Sequence, residues 1–98
     1  MADGGNTPED IAMRLIALRE ALGYSQSGFA KFLEISPSQM NNYEKPIRRP
    51  SDPILAKIKL RTGATRDWIL EGDRAGLPFD LLKKLPDLSE KQRSGSAG

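Results

Sequence analysis

The chain has 98 residues, of which 38% are hydrophobic and 29% charged, and it contains neither cysteine nor histidine. This length suits one small domain. The missing residue types exclude disulfides, thiolate or imidazole metal sites, and Ser–His or Cys–His catalytic pairs. The acidic residues are scattered outside apolar segments, so neither an enzyme nor a cofactor is expected. No apolar run approaches the roughly 20 residues that span a bilayer, and the N-terminus lacks the apolar core of a secretory signal.

The net charge of +2 is unevenly distributed along the chain. Residues 14–66 carry ten Lys or Arg and four acidic residues, giving +6, whereas residues 1–13 carry −3 and residues 67–98 carry −1. A clustered basic field attracts polyanions. An ordinary solvated surface has the same composition, so charge alone leaves both interpretations open.

The first two predicted helices have clear boundary signals. Thr7 is predicted to cap the first helix, with proline and two acids in its first turn, and Gly23 to end it. Its apolar residues recur at spacings of four, three and four, which is typical of one helix face: Ile11, Leu15, Leu18 and Leu22. Ser25 is predicted to cap a short second helix whose inner stripe is Phe29, Ala30 and Leu33.

The third predicted helix, about residues 37–44, has the most complete local signals. Ser36-Pro37-Ser38-Gln39 fits a capping box with proline at the first helical position. Met40 and Tyr43 are predicted to face the core, and Pro46 to stop the helix. The opposite face is polar: Ser38, Asn41, Asn42 and Lys45.

The segments that follow are also predicted to be helical. After the basic loop 47–50, Ser51 or Asp52 is predicted to cap a fourth helix that Gly63 ends, and Thr65 to cap a fifth that Gly72 ends. A sixth short segment is predicted from Pro78 to Leu85. Residues 1–6 and 87–98 are predicted to be a flexible N-terminus and tail. Because no segment alternates with period two, an all-α fold is expected.

The second and third helices are separated by a turn at residues 33–36, which is typical of a helix-turn-helix. In that arrangement the second helix of the pair lies in the major groove of DNA. Asn bonds adenine in a bidentate way, Ser bonds several base edges, and Lys reaches guanine or phosphate. The alternative is a helix whose polar face only meets water. Such faces usually carry Glu, Lys and Arg, so the Ser, Gln and Asn side chains favour base recognition.

Motifs along the chain together resemble one family. They are Arg14-Leu15, Leu18-Arg19, Gly23-Tyr24-Ser25-Gln26, Phe29-Ala30, Leu33, Ile35-Ser36, Tyr43-Glu44, Arg49-Pro50-Ser51, Leu55, Ile58, Gly63 and Asp67-Trp68-Ile69-Leu70-Glu71-Gly72. Over about residues 11–72 this pattern resembles the phage-repressor and Cro-type helix-turn-helix proteins, the XRE family. The resemblance implies a five-helix, lambda-repressor-like DNA-binding domain, which we place at residues 7–72. Residues 73–86 lie beyond the family motif and are predicted to form a short C-terminal extension with an extra helix.

The resemblance also implies roles for individual residues. The base-facing positions would be Ser38, Gln39 and Asn42, and the positions near the DNA backbone Ser25, Gln26, Asn41, Lys45, Arg48 and Arg49. Gln26 would either bond a phosphate or orient the first recognition residue. The chain departs from the family at two turns, where Glu34 and Pro46 stand in place of the usual glycine. A side chain at Glu34 is expected to be strained.

These observations predict a small sequence-specific regulator of transcription that binds double-stranded DNA, acting as a repressor. The implied setting is the nucleoid-associated cytoplasm of a bacterial or phage-like system, without a small-molecule effector or a membrane. The alternative is a protein-interaction module, such as an antitoxin, on the same fold.

The role of several side chains stays open at this stage. The apolar residues of the segment from Thr65 to Leu85 pack either on their own core or in a homodimer interface: Trp68, Leu77, Phe79, Leu81 and Leu82. A homodimer is expected at least on DNA, because one unit reads only one half-site. Lys57, Lys59 and Arg61 lie either on a solvated face or against DNA.

Overall fold

The computed structural model describes residues 6–86, and every regular element in this range is a helix. The six helices are α1 (Pro8–Ala21), α2 (Gln26–Leu33), α3 (Pro37–Glu44), α4 (Asp52–Thr62), α5 (Arg66–Glu71) and α6 (Phe79–Lys84). The all-α prediction and the order of its elements are confirmed. The flexible segments predicted at 1–6 and 87–98 lie, apart from Asn6, outside the described residues.

Side-chain caps begin four of the helices, at the residues that the sequence predicts. Thr7 and Ser36 each form a full capping box, with Asp10 and Gln39 as the reciprocal partners. Ser25 accepts from the Gly28 N–H, and Thr65 from the Trp68 N–H. These bonds satisfy N–H groups that a helix leaves without an internal acceptor. Ser51 occupies the N-cap position of α4 without a side-chain cap bond.

One continuous core holds the helices together. Its fully buried members come from α1 through α5, and they include Leu15, Leu18, Phe29, Met40 and Ile69. Because apolar burial is the main favourable term in folding, these short helices depend on this shared core. The core position predicted for Met40 and Tyr43 is confirmed.

The C-terminal extension folds onto the same core. Trp68, Leu77 and Leu81, three of the five side chains predicted for a dimer interface, are buried within the single chain. They therefore present almost no surface to a second copy. Leu82 is half buried, whereas Phe79 is 71% exposed.

A buried arginine joins the first helix to the fifth. Arg14 is only 2% exposed, and its Nη1 donates to the Ile69 carbonyl oxygen at 2.9 Å. Burial lowers the pKa of Arg14, and the nearby Asp10 carboxylate acts in the opposite direction. The bond satisfies a carbonyl in the last turn of α5, where helices lack internal donors.

The turn between α2 and α3 has the strain that the sequence predicts. Glu34 has φ 61° and ψ 40°, a left-handed conformation that side chains with a Cβ rarely adopt. Its carboxylate contacts Arg61 at 3.2 Å and Lys57 at 3.9 Å, both on α4. These contacts attach the turn to α4, and they show that Lys57 and Arg61 face the α2–α3 turn.

We expect Gly63→Ala to destabilise the chain more than Gly23→Ala does. Both glycines have φ above +80°, so alanine costs about 1 kcal/mol of conformational strain at either site. A Cβ at Gly63 would also lie 2.8 Å from Cγ of Pro78, whereas one at Gly23 meets nothing within 4 Å. Urea denaturation should show a further loss of about 1–3 kcal/mol for Gly63→Ala. Equal losses would mean that Pro78 does not pack against this turn.

Candidate nucleic-acid interface

The polar face of α3 and the loop after it form one surface. A shallow cavity of about 340 Å³ lies between them, lined by Gln39, Asn42, Tyr43, Arg48, Arg49 and Ser51. The structure thus brings together four of the residues predicted to contact DNA: Gln39 and Asn42 of the helix with Arg48 and Arg49 of the loop. Ser38 and Lys45 are exposed on the same short helix or at its end, and Asn41 is half buried.

The loop is held against the helix by the backbone of Asn42. Its carbonyl oxygen accepts from the Ile47 N–H at 3.0 Å and from the Arg48 N–H at 3.3 Å. Arg48 and Arg49 consequently follow within one turn of the helix end, and both are exposed.

Gln39 has a structural role besides its predicted base contact. Its Oε1 accepts from the Ser36 N–H at 3.2 Å, as the reciprocal half of the capping box. The amide nitrogen Nε2 is the part of this side chain that the cap does not engage. While the cap persists, Gln39 can therefore still offer its amide N–H donors to a base edge.

Gln26, at the start of α2, points toward the end of α3. Its Nε2 donates to Glu44 Oε1 at 3.0 Å. Ser25, the residue before it, caps α2 and is exposed. This bond tests neither of the two roles expected for Gln26, which are contact with a phosphate and orientation of a recognition residue. The bond does show that Gln26 links the two helices of the motif.

Glu44 is the centre of a polar network that the sequence analysis did not assign. Arg19 of α1 donates from Nε to Glu44 Oε2 at 2.8 Å and from Nη2 to Glu44 Oε1 at 3.1 Å. A third bond runs from Arg19 Nη1 to the Tyr24 carbonyl oxygen. Only 4% of the Glu44 side chain is exposed. The hydrogen bonds to Glu44 raise the pKa of Arg19, against the opposing effect of burial.

This network fixes α3 relative to α1 and α2, because a bidentate arginine–carboxylate pair constrains both distance and orientation. Arg19 and Glu44 both belong to the motif that the chain shares with the family, and this motif was the sequence signal that marked them. Their separation of 25 residues gives no indication that the two side chains are in contact. Two other residues were not identified as notable from the sequence. Arg14 is a buried arginine on an apolar helix face, and Ile47 is 66% exposed beside the two loop arginines.

Other kinds of site are not supported in the described range. No helix of residues 6–86 is long and apolar enough to cross a membrane. The same residues contain no group of three or more acidic side chains placed to hold a metal ion.

We expect Glu44→Ala to lower the free energy of unfolding by about 2–4 kcal/mol, because it leaves the Arg19 guanidinium without its carboxylate in a mostly buried position. Gln26→Ala, the matched control, removes one of the three bonds to Glu44 and should cost about 1 kcal/mol. Urea denaturation of both variants checks this. If Glu44→Ala stays within about 0.5 kcal/mol of the parent chain, as surface changes do, the network does not hold α3.

Comparison with known proteins agrees with this geometry. The family model HTH_3, described as helix-turn-helix, matches residues 15–69, which include all of α2, α3 and α4. Searches of curated proteins and of solved structures gave no match. The matched range covers more than half of the chain and contains the α2–α3 turn and the polar face of α3. The chain therefore belongs to the HTH_3 family of Cro- and repressor-type DNA-binding regulators, the XRE family.

Proposed function

We propose that the chain binds specific sequences of double-stranded DNA by placing α3 in the major groove, and that it acts as a repressor. The observation that carries this proposal is the continuous surface of α3 and its loop, where uncharged amides and a hydroxyl adjoin exposed arginines. Amides and hydroxyls distinguish base edges, whereas arginines supply affinity for phosphate. A protein bound at such a site excludes other proteins from the same DNA, which is the physical basis of repression.

Within this surface we assign base contacts to Ser38, Gln39 and Asn42. Backbone contacts are assigned to the residues around them: Ser25, Gln26, Asn41, Lys45, Arg48 and Arg49. The exposure of Ser38 and Gln39 supports the first group, and that of Lys45, Arg48 and Arg49 supports the second. The N-terminal N–H groups of α2 add a favourable site for phosphate.

Two copies would bind near-palindromic DNA, with half-sites about 34 Å apart. One recognition helix touches only a few base pairs, and each mismatch costs about 1–3 kcal/mol, so a single unit selects a genomic site poorly. Of the side chains predicted to join the copies through the C-terminal segment, Phe79 and Leu82 are the ones with substantial accessible surface.

We expect Asn42→Ala to cost about 1–3 kcal/mol at the cognate site and to relax preference at one base pair. The cognate duplex is first selected from a random-sequence library with the parent chain. Binding to that duplex and to a scrambled duplex of equal length is then compared for parent and variant. Binding to the scrambled duplex should barely change, and equal losses on both duplexes would refute base recognition by Asn42.

Replacing both Arg48 and Arg49 with alanine should weaken binding to all sequences alike. The slope of log affinity against log salt concentration should fall by about one or two, because fewer counterions are released from phosphates. The control is alanine at Lys83 and Lys84, which removes the same charge from exposed positions on α6. The control should leave the slope nearly unchanged, and equal effects of the two double variants would contradict a local contact.

The same salt titration separates the proposed function from the alternative of a protein-interaction module. A DNA-binding regulator loses affinity for duplex DNA steeply as salt rises. An antitoxin-like module that acts only by covering another protein should bind neither selected nor random duplexes in this way.

A further inference from the structure

One large apolar side chain is exposed within the surface formed by α3 and its loop. Ile47 has 66% of its surface accessible, and it lies in the loop directly before the two arginines. In residues 6–86 the other large apolar side chains with such exposure lie on α1, α4 and α6: Met13, Leu60 and Phe79. The contacts assigned above go to the polar neighbours of Ile47 and give this side chain no role.

The backbone fixes Ile47 beside the helix. Its N–H donates to the Asn42 carbonyl oxygen at 3.0 Å, so its position is tied to the turn of α3 that carries the Asn42 side chain. Arg48 and Arg49 line the cavity between helix and loop, whereas Ile47 does not, so its side chain lies outside that cavity. A β-branched side chain has few rotamers, and a residue held in this way loses little freedom when it is covered.

The charges around Ile47 indicate which kind of partner covers it. Lys45, Arg48 and Arg49 flank it on both sides and are all exposed. The nearest carboxylate along the chain, that of Glu44, is bonded to Arg19. The centre of a protein–protein interface is depleted of charge, whereas a polyanion is attracted by such a cluster of cations. These surroundings favour nucleic acid over a protein as the partner of Ile47.

Base edges in the major groove offer one kind of apolar group, the 5-methyl group of thymine. Their other groups are hydrogen-bond donors and acceptors, which an isoleucine side chain cannot satisfy. If α3 lies in that groove, the bond between Asn42 and Ile47 keeps the isoleucine at the same groove, beyond the C-terminal end of the helix. A 5-methyl group is therefore the base feature that Ile47 can recognise.

We propose that Ile47 is a specificity-determining residue that recognises the 5-methyl group of a thymine next to the base pairs contacted by Asn42; this inference rests on the proposed function. The contact removes the methyl group and part of the isoleucine from water. Burial of one such group strengthens binding by about 3–5-fold. Because the contact involves no phosphate, it leaves the salt dependence of binding unchanged.

The first experiment removes the methyl group from the DNA and the isoleucine from the protein. Each thymine of the selected duplex is replaced in turn by uracil, which pairs with adenine in the same way and lacks only the 5-methyl group. The parent chain should lose about 3–5-fold in affinity at one position of the half-site. Ile47→Ala should bind the thymine and uracil versions of that position equally. Leu60→Ala, the matched control at an exposed residue of α4, should keep the difference seen with the parent chain.

Several results would overturn the inference. A selected duplex without thymine, a parent chain that tolerates every uracil, or an Ile47→Ala variant that keeps the difference would each do so. Equal weakening of selected and scrambled duplexes by Ile47→Ala would place the side chain on the sugar–phosphate backbone. A smaller salt slope would mean that the variant displaces Arg48 and Arg49, and a lower urea midpoint would give Ile47 a role in folding.

The second experiment supplies the same methyl group from a different base. The thymine identified by the uracil series is replaced by cytosine or by 5-methylcytosine, with guanine opposite, so that these two duplexes differ only in the 5-methyl group. The parent chain should bind the 5-methylcytosine duplex about 3–5-fold more tightly than the cytosine duplex. Ile47→Ala should bind both equally. Equal binding of both by the parent chain would overturn recognition of the methyl group.

The inference and the proposed function fail in distinguishable ways. If the parent chain selects no sequence from the random library, the proposed function fails and the inference fails with it. If the parent chain selects a sequence and Asn42→Ala loses affinity for it, but no uracil substitution is felt through Ile47, the proposed function stands and only the inference is overturned.

Discussion

The carboxylate of Glu44 is the point at which α3 is fixed to the other helices of the helix-turn-helix domain. It accepts two bonds from Arg19 of α1 and one from Gln26 of α2, so three helices meet at the end of α3. A helix of eight residues is too short to be stable in water by itself. Met40 and Tyr43 are its only buried apolar side chains, so α3 gains limited stability from hydrophobic packing. The Glu44 network and the Ser36 capping box hold its two ends, which leaves the outer face available for hydrogen-bonding side chains that are poor helix formers.

Local features of the fold could be predicted because their causes lie within three or four residues. The caps at Thr7, Ser25, Ser36 and Thr65 depend on a side chain and a backbone N–H of the same turn, and all four form as predicted. The left-handed conformation of Glu34 was expected on a different ground, because the family that the chain resembles usually has glycine at this position of the turn.

Contacts between residues that are far apart in the sequence could not be predicted from such local signals. Arg19 and Glu44 are 25 residues apart, and Arg14 and Ile69 are 55 apart, so neither bond has a signature in residue spacing. The apolar C-terminal segment was ambiguous for a different reason. Hydrophobic burial is non-directional, so the composition of the segment does not say whether its own core or a second chain covers it. In the folded chain, the side chains of Trp68, Leu77 and Leu81 are buried in the chain's own core. The cavity beside Asn42 likewise depends on the path of the loop after Pro46, which no local rule predicts.

The outer face of α3, the arginine loop and α4 follow one another within residues 37–63, and the backbone couples them. Asn42 presents its side chain at the cavity while its carbonyl oxygen holds the N–H groups of Ile47 and Arg48. The arginine loop is thus attached to the helix that carries the amides proposed to contact bases, so a shift of one moves the other. The same loop leads directly into α4, whose inner face is anchored in the core by Leu55 and Ile58. A continuous stretch of backbone therefore connects the outer face of α3, through the arginine loop, to a helix that is anchored in the core.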